Sequence, residues 1–191
     1  MNGAIALTEG HIVYKRLIPY PLARPLLAAC DRRGLKAASE RSGMHYSNFV
    51  VSDEWSGITN YQIVDFAVHD MDAEKLYAVV RSADDAAFIE SRLPDALYLT
   101  VSRDGLAQIM HREATKSKAV AELARFWGIP QNEILAFGDD LNDLDLLSYA
   151  GTSVAMENAV GEARVIADDI CPCNDEDGVA VWLAEHVLSF S

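Results

Sequence analysis

The sequence has few cysteines, few basic residues and no long apolar run. Its three cysteines, Cys30, Cys171 and Cys173, are an odd number, which argues against a disulfide framework and predicts a reducing cytoplasm. Only 16 basic side chains accompany 29 acidic ones, and the resulting net charge of −13 repels nucleic acid and anionic membranes, so neither is predicted as a partner. No apolar run reaches the length of a membrane span. Cys171 and Cys173 could form a small metal or redox pair, but two thiols on a strand is the preferred interpretation, since no histidine lies close by in the sequence.

The chain has 191 residues, half of them hydrophobic, which is enough to bury a core in one ordinary domain or in two small ones. The pattern changes near residue 112. Before that point we predict a mixed unit of strands and helices. The predicted strands are 11–17, 35–40 and 61–68, the predicted helices are 22–33 and 72–83, and a hairpin of 98–102 and 106–111 surrounds Arg103-Asp104-Gly105.

After Lys116 the sequence alternates strands and helices, which predicts a parallel sheet and an α/β fold. The short apolar run 134–137 has no alternation, as is typical of a strand buried on both faces. We predict further strands at 152–155 and 170–173, and helices at 117–127, 144–150, 159–167 and 177–188.

The segment that follows the predicted strand 134–137 is rich in carboxylates. Gly138 allows a sharp exit from the strand, and Asp139, Asn142 and Asp143 then cluster at the carboxyl end of the sheet, where open parallel sheets bind ligands. Two neighbouring carboxylates are unfavourable unless a cation or a proton intervenes, and Mg²⁺ prefers such oxygen ligands. The competing interpretation is that Asp140, Asn142 and Asp143 are helix caps and turn formers. An EF-hand calcium loop is disfavoured, because Leu144 stands where that loop needs glycine.

Other segments of the sequence, taken with this acidic segment, carry a family resemblance. Together they resemble the carboxy-terminal part of a Cof-type phosphatase of the haloacid dehalogenase (HAD) superfamily, weakly before residue 113 and strongly after it. Asn2-Gly3-Ala4 is similar to the turn from the family's core into its cap. The segments that carry the resemblance after residue 113 are Glu113 to Val120, Gly128-Ile129, Gly138 to Asp143, Val154 to Ala159, Ala167-Asp168 and Asn174 to Val179.

The resemblance implies a fold and a set of roles. The fold would be an incomplete, doubly wound HAD-like core, residues 1–9 and 113–191, with an inserted α+β cap at 10–112. Lys116, or Lys118 if the motif is shifted by two residues, would offset charge on a phosphoryl group. Asp139 would bind Mg²⁺ directly, Asp143 would bind it directly or through water, and Asn142 would position the phosphate. The reaction implied is hydrolysis of a small phosphate ester, such as a sugar phosphate, by way of an aspartyl-phosphate.

The family's nucleophile motif, Asp-x-Asp-Gly-Thr, does not occur in these 191 residues. Asp70-Met71-Asp72 follows an apolar run, but Ala73-Glu74 replaces Gly-Thr, so we interpret Asp72 as a helix cap. We therefore expect a fragment or truncated product that is inactive alone, and a non-catalytic remnant that binds metal or a phosphorylated ligand is the alternative. In the family the cap selects the substrate, which makes Arg41, His45 and Tyr46 candidates, although a solvated loop is the simpler interpretation.

Overall fold

The computed structural model describes residues 3–102 and 104–188 and divides into two units. Of the described residues, the first unit contains Gly3–Ile5 and those within Lys15–Ala114, and the second contains Ala6–Tyr14 and 115–188. Which unit corresponds to a core and which to a cap stays a prediction. In the part of the chain that is described, no helix is both long enough and apolar enough to span a membrane.

A short hairpin near the amino end was not predicted as such. Strands β1 (Ile5–Thr8) and β2 (His11–Lys15) pair through a turn in which Glu9 and Gly10 have φ of 48° and 80°. Positive φ at both central residues is the geometry that suits a two-residue hairpin turn to the twist of its strands. Ala6 and Tyr14 of this hairpin pack with Ala119 in the second unit.

The first unit is built on a six-stranded sheet with the order β5-β4-β3-β6-β8-β7. Only β4 and β5 pair in parallel; the other neighbours are antiparallel. Leu27, Leu76 and Ile109 are among the side chains buried in its core. Its elements are α1 (Tyr20–Arg32), β3 (Ala37–Arg41), β4 (Met44–Ser47), β5 (Tyr61–Ile63), β6 (Lys75–Val79), α2 (Ala83–Glu90), β7 (Leu97–Val101) and β8 (Leu106–His111).

Two predictions in this unit were wrong, and the hairpin prediction is confirmed. The segment predicted as helix 72–83 contains strand β6, which lies between β3 and β8, and the helix begins only at Ala83. Asp72 therefore does not cap that helix, and its Oδ1 instead accepts the N–H of Tyr20, the first residue of α1, at 3.0 Å. The predicted strand 61–68 ends at Ile63. The hairpin of β7 and β8 forms as predicted, although Arg103 in its turn lies outside the described residues.

The second unit contains a three-stranded parallel sheet with the order β11-β10-β9, which confirms the predicted α/β fold class. Each predicted strand and helix of this unit forms within about three residues of its expected bounds. The elements are α3 (Lys116–Trp127), β9 (Leu135–Gly138), α4 (Leu144–Tyr149), β10 (Thr152–Met156), α5 (Gly161–Ile166), β11 (Asp169–Cys171) and α6 (Gly178–His186). Cys171 is a free, buried thiol at the end of β11, and Cys173 lies beyond the strand.

Candidate active site

The carboxyl end of β9 is packed tightly against the turn that follows it. A Cβ atom added to Gly138 would lie 2.7 Å from the Cβ of Asp143 and 3.1 Å from Cδ1 of Leu147. Both neighbours are buried, with exposed fractions of 6% and 2%. Glycine is therefore needed here for space, since its φ is not positive, and its small size lets the Asp143 carboxylate reach the end of the strand.

Asp143 accepts hydrogen bonds on both carboxylate oxygens. Oδ1 accepts the ammonium of Lys116, and Oδ2 accepts the backbone N–H groups of Asp139 and Asp140 at 3.2 and 3.3 Å. Burial raises the pKa of this carboxyl, but the hydrogen bond from Lys116 and the two amide groups outweigh burial and hold the pKa below its ordinary value. Asp143 is thus ionised at neutral pH and joins the turn after β9 to α3.

The same turn confirms part of the capping interpretation. Asp140 and Asp143 form a reciprocal capping box around the short 3₁₀ turn Leu141–Asp143, and Asp140 Oδ1 accepts the N–H of Leu141 at 2.7 Å. Capping does not exclude a role in the site, because the Lys116 ammonium lies on the other oxygen of Asp143.

The two candidate lysines both lie in the first turn of α3. Lys116 is the first residue of α3, and its half-buried side chain forms the ion pair with Asp143. Lys118 is exposed, and its backbone N–H lies 3.4 Å from the Thr115 hydroxyl that caps the helix. Lys116 thus contacts the acidic segment through Asp143.

Asp139 and Asn142 belong to the same turn as Asp143, and both residues are exposed. The carbonyl of Asp139 accepts the N–H of Val160 at 2.9 Å, which ties the turn to the loop after β10. That loop is joined in turn to the loop after β11, because Asn158 donates to Asn174 at 2.7 Å. Within residues 3–102 and 104–188, no group of three or more His, Cys, Asp or Glu side chains is arranged to hold a metal ion.

One residue of this region received no role in the sequence analysis. Asp145, in the first turn of α4, accepts the backbone N–H of Ser117 at 2.9 Å. An acidic residue near the start of a helix is ordinarily explained by the dipole of that helix, so the sequence offered no signal that Asp145 reaches α3.

The family model described as haloacid dehalogenase-like hydrolase matches residues 1–183. The chain belongs to this family. This haloacid dehalogenase-like chain is 40% identical over 92 residues to Phosphatase YwpJ of Bacillus subtilis, a match that covers 48% of the chain and 32% of the relative. It is 37% identical over 79 residues to 5-amino-6-(5-phospho-D-ribitylamino)uracil phosphatase YitU of Bacillus subtilis, covering 41% of the chain and 29% of the relative.

Solved structures extend the likeness over nearly the whole chain. The HAD subclass IIB sugar phosphatase BT4131 superposes with a TM-score of 0.81 at 21% identity, covering 97% of this chain and 73% of that one. At this identity the superposition shows the fold. The predicted membership of the HAD superfamily is therefore confirmed, while the matched segments span only about a third of the two curated relatives.

Proposed function

We propose that this family member acts in the Mg²⁺-dependent hydrolysis of a small phosphate ester, with sugar phosphates as the substrate class. The observation that carries the proposal is the ion pair of Lys116 and Asp143 at the carboxyl end of β9. Family membership supports phosphoryl chemistry, and the names of the relatives and of the superposed sugar phosphatase support a small phosphorylated metabolite.

The chemistry of the donor groups fits Mg²⁺, because the turn after β9 offers carboxylate and amide oxygens and no sulfur. Asp139 would bind the ion directly, since its carboxylate is exposed at the end of the strand. Asp143 would contact it directly or through water, since its ionised carboxylate lies at the end of the same strand. The ion, when bound, would neutralise phosphate oxygens so that an anionic nucleophile can approach them.

The side chains of this chain would orient the phosphoryl group and balance its charge. Lys116 is held by Asp143 at the start of α3, so its ammonium would be in place before charge develops in the transition state. Asn142, exposed in the turn, would donate to a phosphate oxygen.

A second candidate is a non-catalytic chain that binds metal or a phosphorylated ligand without turnover. The sequence feature that favours it is the lack of Asp-x-Asp-Gly-Thr within these 191 residues. Without that motif no carboxylate is available to take the phosphoryl group, and general acid–base catalysis worth about 10²–10⁴-fold is lost.

Activity assays separate the two candidates. The 191-residue chain alone should show no turnover of sugar phosphates or of p-nitrophenyl phosphate. A family segment bearing Asp-x-Asp-Gly-Thr, fused in front of the chain or added as a peptide, should restore Mg²⁺-dependent hydrolysis. Lys116→Ala should then reduce hydrolysis sharply, whereas Lys118→Ala, two residues along the same helix, should retain it. Robust turnover by the unaided chain would refute the proposal and direct attention to Asp70.

Metal binding gives an independent test. Mg²⁺ that binds only the folded protein raises its melting temperature. We expect a small rise at millimolar Mg²⁺ for the wild-type chain and for Asn142→Ser, and none for Asp139→Asn. An identical rise in wild type and Asp139→Asn would place the ion elsewhere.

A further inference from the structure

The amino end of α3 is held by a carboxylate from another helix. Asp145 Oδ2 accepts the Ser117 N–H at 2.9 Å, and the Asp145 side chain itself starts from the first turn of α4. The amino ends of both helices, each with its partial positive charge, therefore meet at one half-buried carboxylate.

Helix α3 has a side-chain cap but few other acceptors of its own for its first turn. It has no acidic residue there, and its cap, the Thr115 hydroxyl, reaches the N–H of Lys118 only at the long distance of 3.4 Å. The unpaired N–H groups of a first helical turn need acceptors, and Asp145 supplies one with a shorter, charge-assisted hydrogen bond.

Two carboxylates thus hold two consecutive residues of α3. Asp143 binds the side chain of Lys116, and Asp145 binds the backbone of the next residue, Ser117. The first contact directs the ammonium, while the second fixes the backbone from which the lysine side chain starts. Fraying of this turn would move the Lys116 Cα and lengthen its path to Asp143.

We propose that Asp145 is a positioning residue for Lys116, acting through the backbone of Ser117. The consequence for catalysis rests on the role proposed above for Lys116, but the positioning itself can be measured without turnover. The proposal also predicts that the position of Lys116 depends more on a hydrogen-bond acceptor at residue 145 than on a negative charge there.

The test is the acetylation rate of Lys116 by acetic anhydride, measured by mass spectrometry as a ratio to Lys75 in the same chain. Lys75 pairs with Glu40 in the first unit at 3.0 Å and so serves as an internal reference. In Asp145→Ala we expect the ratio to rise about 2- to 10-fold, the factor equivalent to the net contribution of one hydrogen bond. In Asp145→Asn, whose amide oxygen can still accept the Ser117 N–H, the ratio should stay near the wild-type value.

A matched control separates positioning from general loss of stability. Asp168 also holds backbone in the second unit, accepting the N–H and hydroxyl of Ser153 at 2.8 and 2.9 Å at the start of β10. Asp168→Ala should lower the melting temperature without changing the Lys116 ratio. The inference would be overturned by an unchanged Lys116 ratio in Asp145→Ala. It would also be overturned if the ratio rose as much in Asp168→Ala or in Asp145→Asn as in Asp145→Ala.

Wild-type hydrogen exchange covers the case in which Asp145→Ala does not fold. We expect the Ser117 amide to be protected, and its free exchange would overturn the inference. Kinetic measurements distinguish failure of the positioning inference from failure of the proposed function. If hydrolysis by the fused enzyme is indifferent to Lys116→Ala, the proposed function is wrong, and the acetylation and exchange results are unaffected.

Discussion

Replacement of Gly138 by alanine tests the packing on which the candidate site depends. The added methyl group would lie 2.7 Å from Cβ and 3.2 Å from Cγ of Asp143, and 3.1 Å from Cδ1 of Leu147. Leu147 is buried in the core of the second unit, so neither neighbour has free space into which to move. The turn that carries Asp143 must therefore shift, which would weaken its hydrogen bonds to Lys116 and to the amides of Asp139 and Asp140.

The expected cost follows from the packing. Forcing one extra methyl group into a well-packed core typically costs about 1–3 kcal/mol. Alanine brings no backbone strain at Gly138, because its φ is not positive, so the cost is steric. Gly161 is the matched control, since it opens helix α5 and a Cβ there would have no neighbour within 4 Å. Gly161→Ala should be neutral or stabilising by up to about 1 kcal/mol.

Thermal melts followed by circular dichroism and tryptophan emission would measure the difference. For a chain of this size, about 1 kcal/mol corresponds to about 2–4 °C in Tm. Trp127 and Trp182 lie in the second unit and Trp55 in the first, so emission reports mainly on the unit that contains Gly138. Equal melting temperatures for Gly138→Ala and Gly161→Ala would show that the strand end and Asp143 do not approach as described.

Three further predictions concern single side chains. The folded-state pKa of Asp143 is lowered, so the stability that its carboxylate contributes is present above the unfolded pKa of about 3.9 and is lost as the pH falls through the folded pKa. The difference in Tm between wild type and Asp143→Asn should therefore be constant near pH 7 and shrink below about pH 4. A difference that widens below pH 4 would contradict this prediction. Burial raises the pKa of the Cys30 thiol to about 11 and also raises that of Cys171, so a disulfide reagent should label half-buried Cys173 first in the native protein, and simultaneous labelling of all three would be a failure. Ser82 caps α2 through the N–H of Asp85, so Ser82→Ala should cost about 0.5–2 kcal/mol in urea unfolding while Ser82→Asn retains stability.

Local signals explain why the second unit was predicted well. Helix α3 is followed by Gly128 with φ of 71°, a helix-ending conformation that glycine adopts without strain. The run that forms β9 is short and apolar and ends at a glycine. Such signals lie within a few residues of one another, so the sequence alone contains them.

The segment predicted as helix 72–83 shows where local signals fail. Its strand, Lys75–Val79, pairs with residues 35 to 41 positions earlier and 27 to 33 positions later, and these partners override the helical spacing. Asp72, predicted to cap this helix, instead accepts the N–H of Tyr20, 52 residues earlier in the sequence. No local pattern contains that contact.

The candidate site divides in the same way. The cluster after β9 follows from the sequence, because its residues lie in one turn. The contacts of Lys116 with Asp143 and of Ser117 with Asp145 depend instead on how α3 packs beside this turn and α4, because the partners lie 27 and 28 residues apart.

The hairpin of β1 and β2 sets an order on synthesis at the ribosome. Its Ala6 and Tyr14 are made before Ala119 and Leu123, the residues with which they pack and which emerge about 100 residues later. At about 5–20 residues per second, roughly 5–20 s pass between the synthesis of the hairpin and the synthesis of these partners. During that interval the whole of Lys15–Ala114 is translated. The first unit can therefore fold before α3, the helix against which the hairpin packs, has been made.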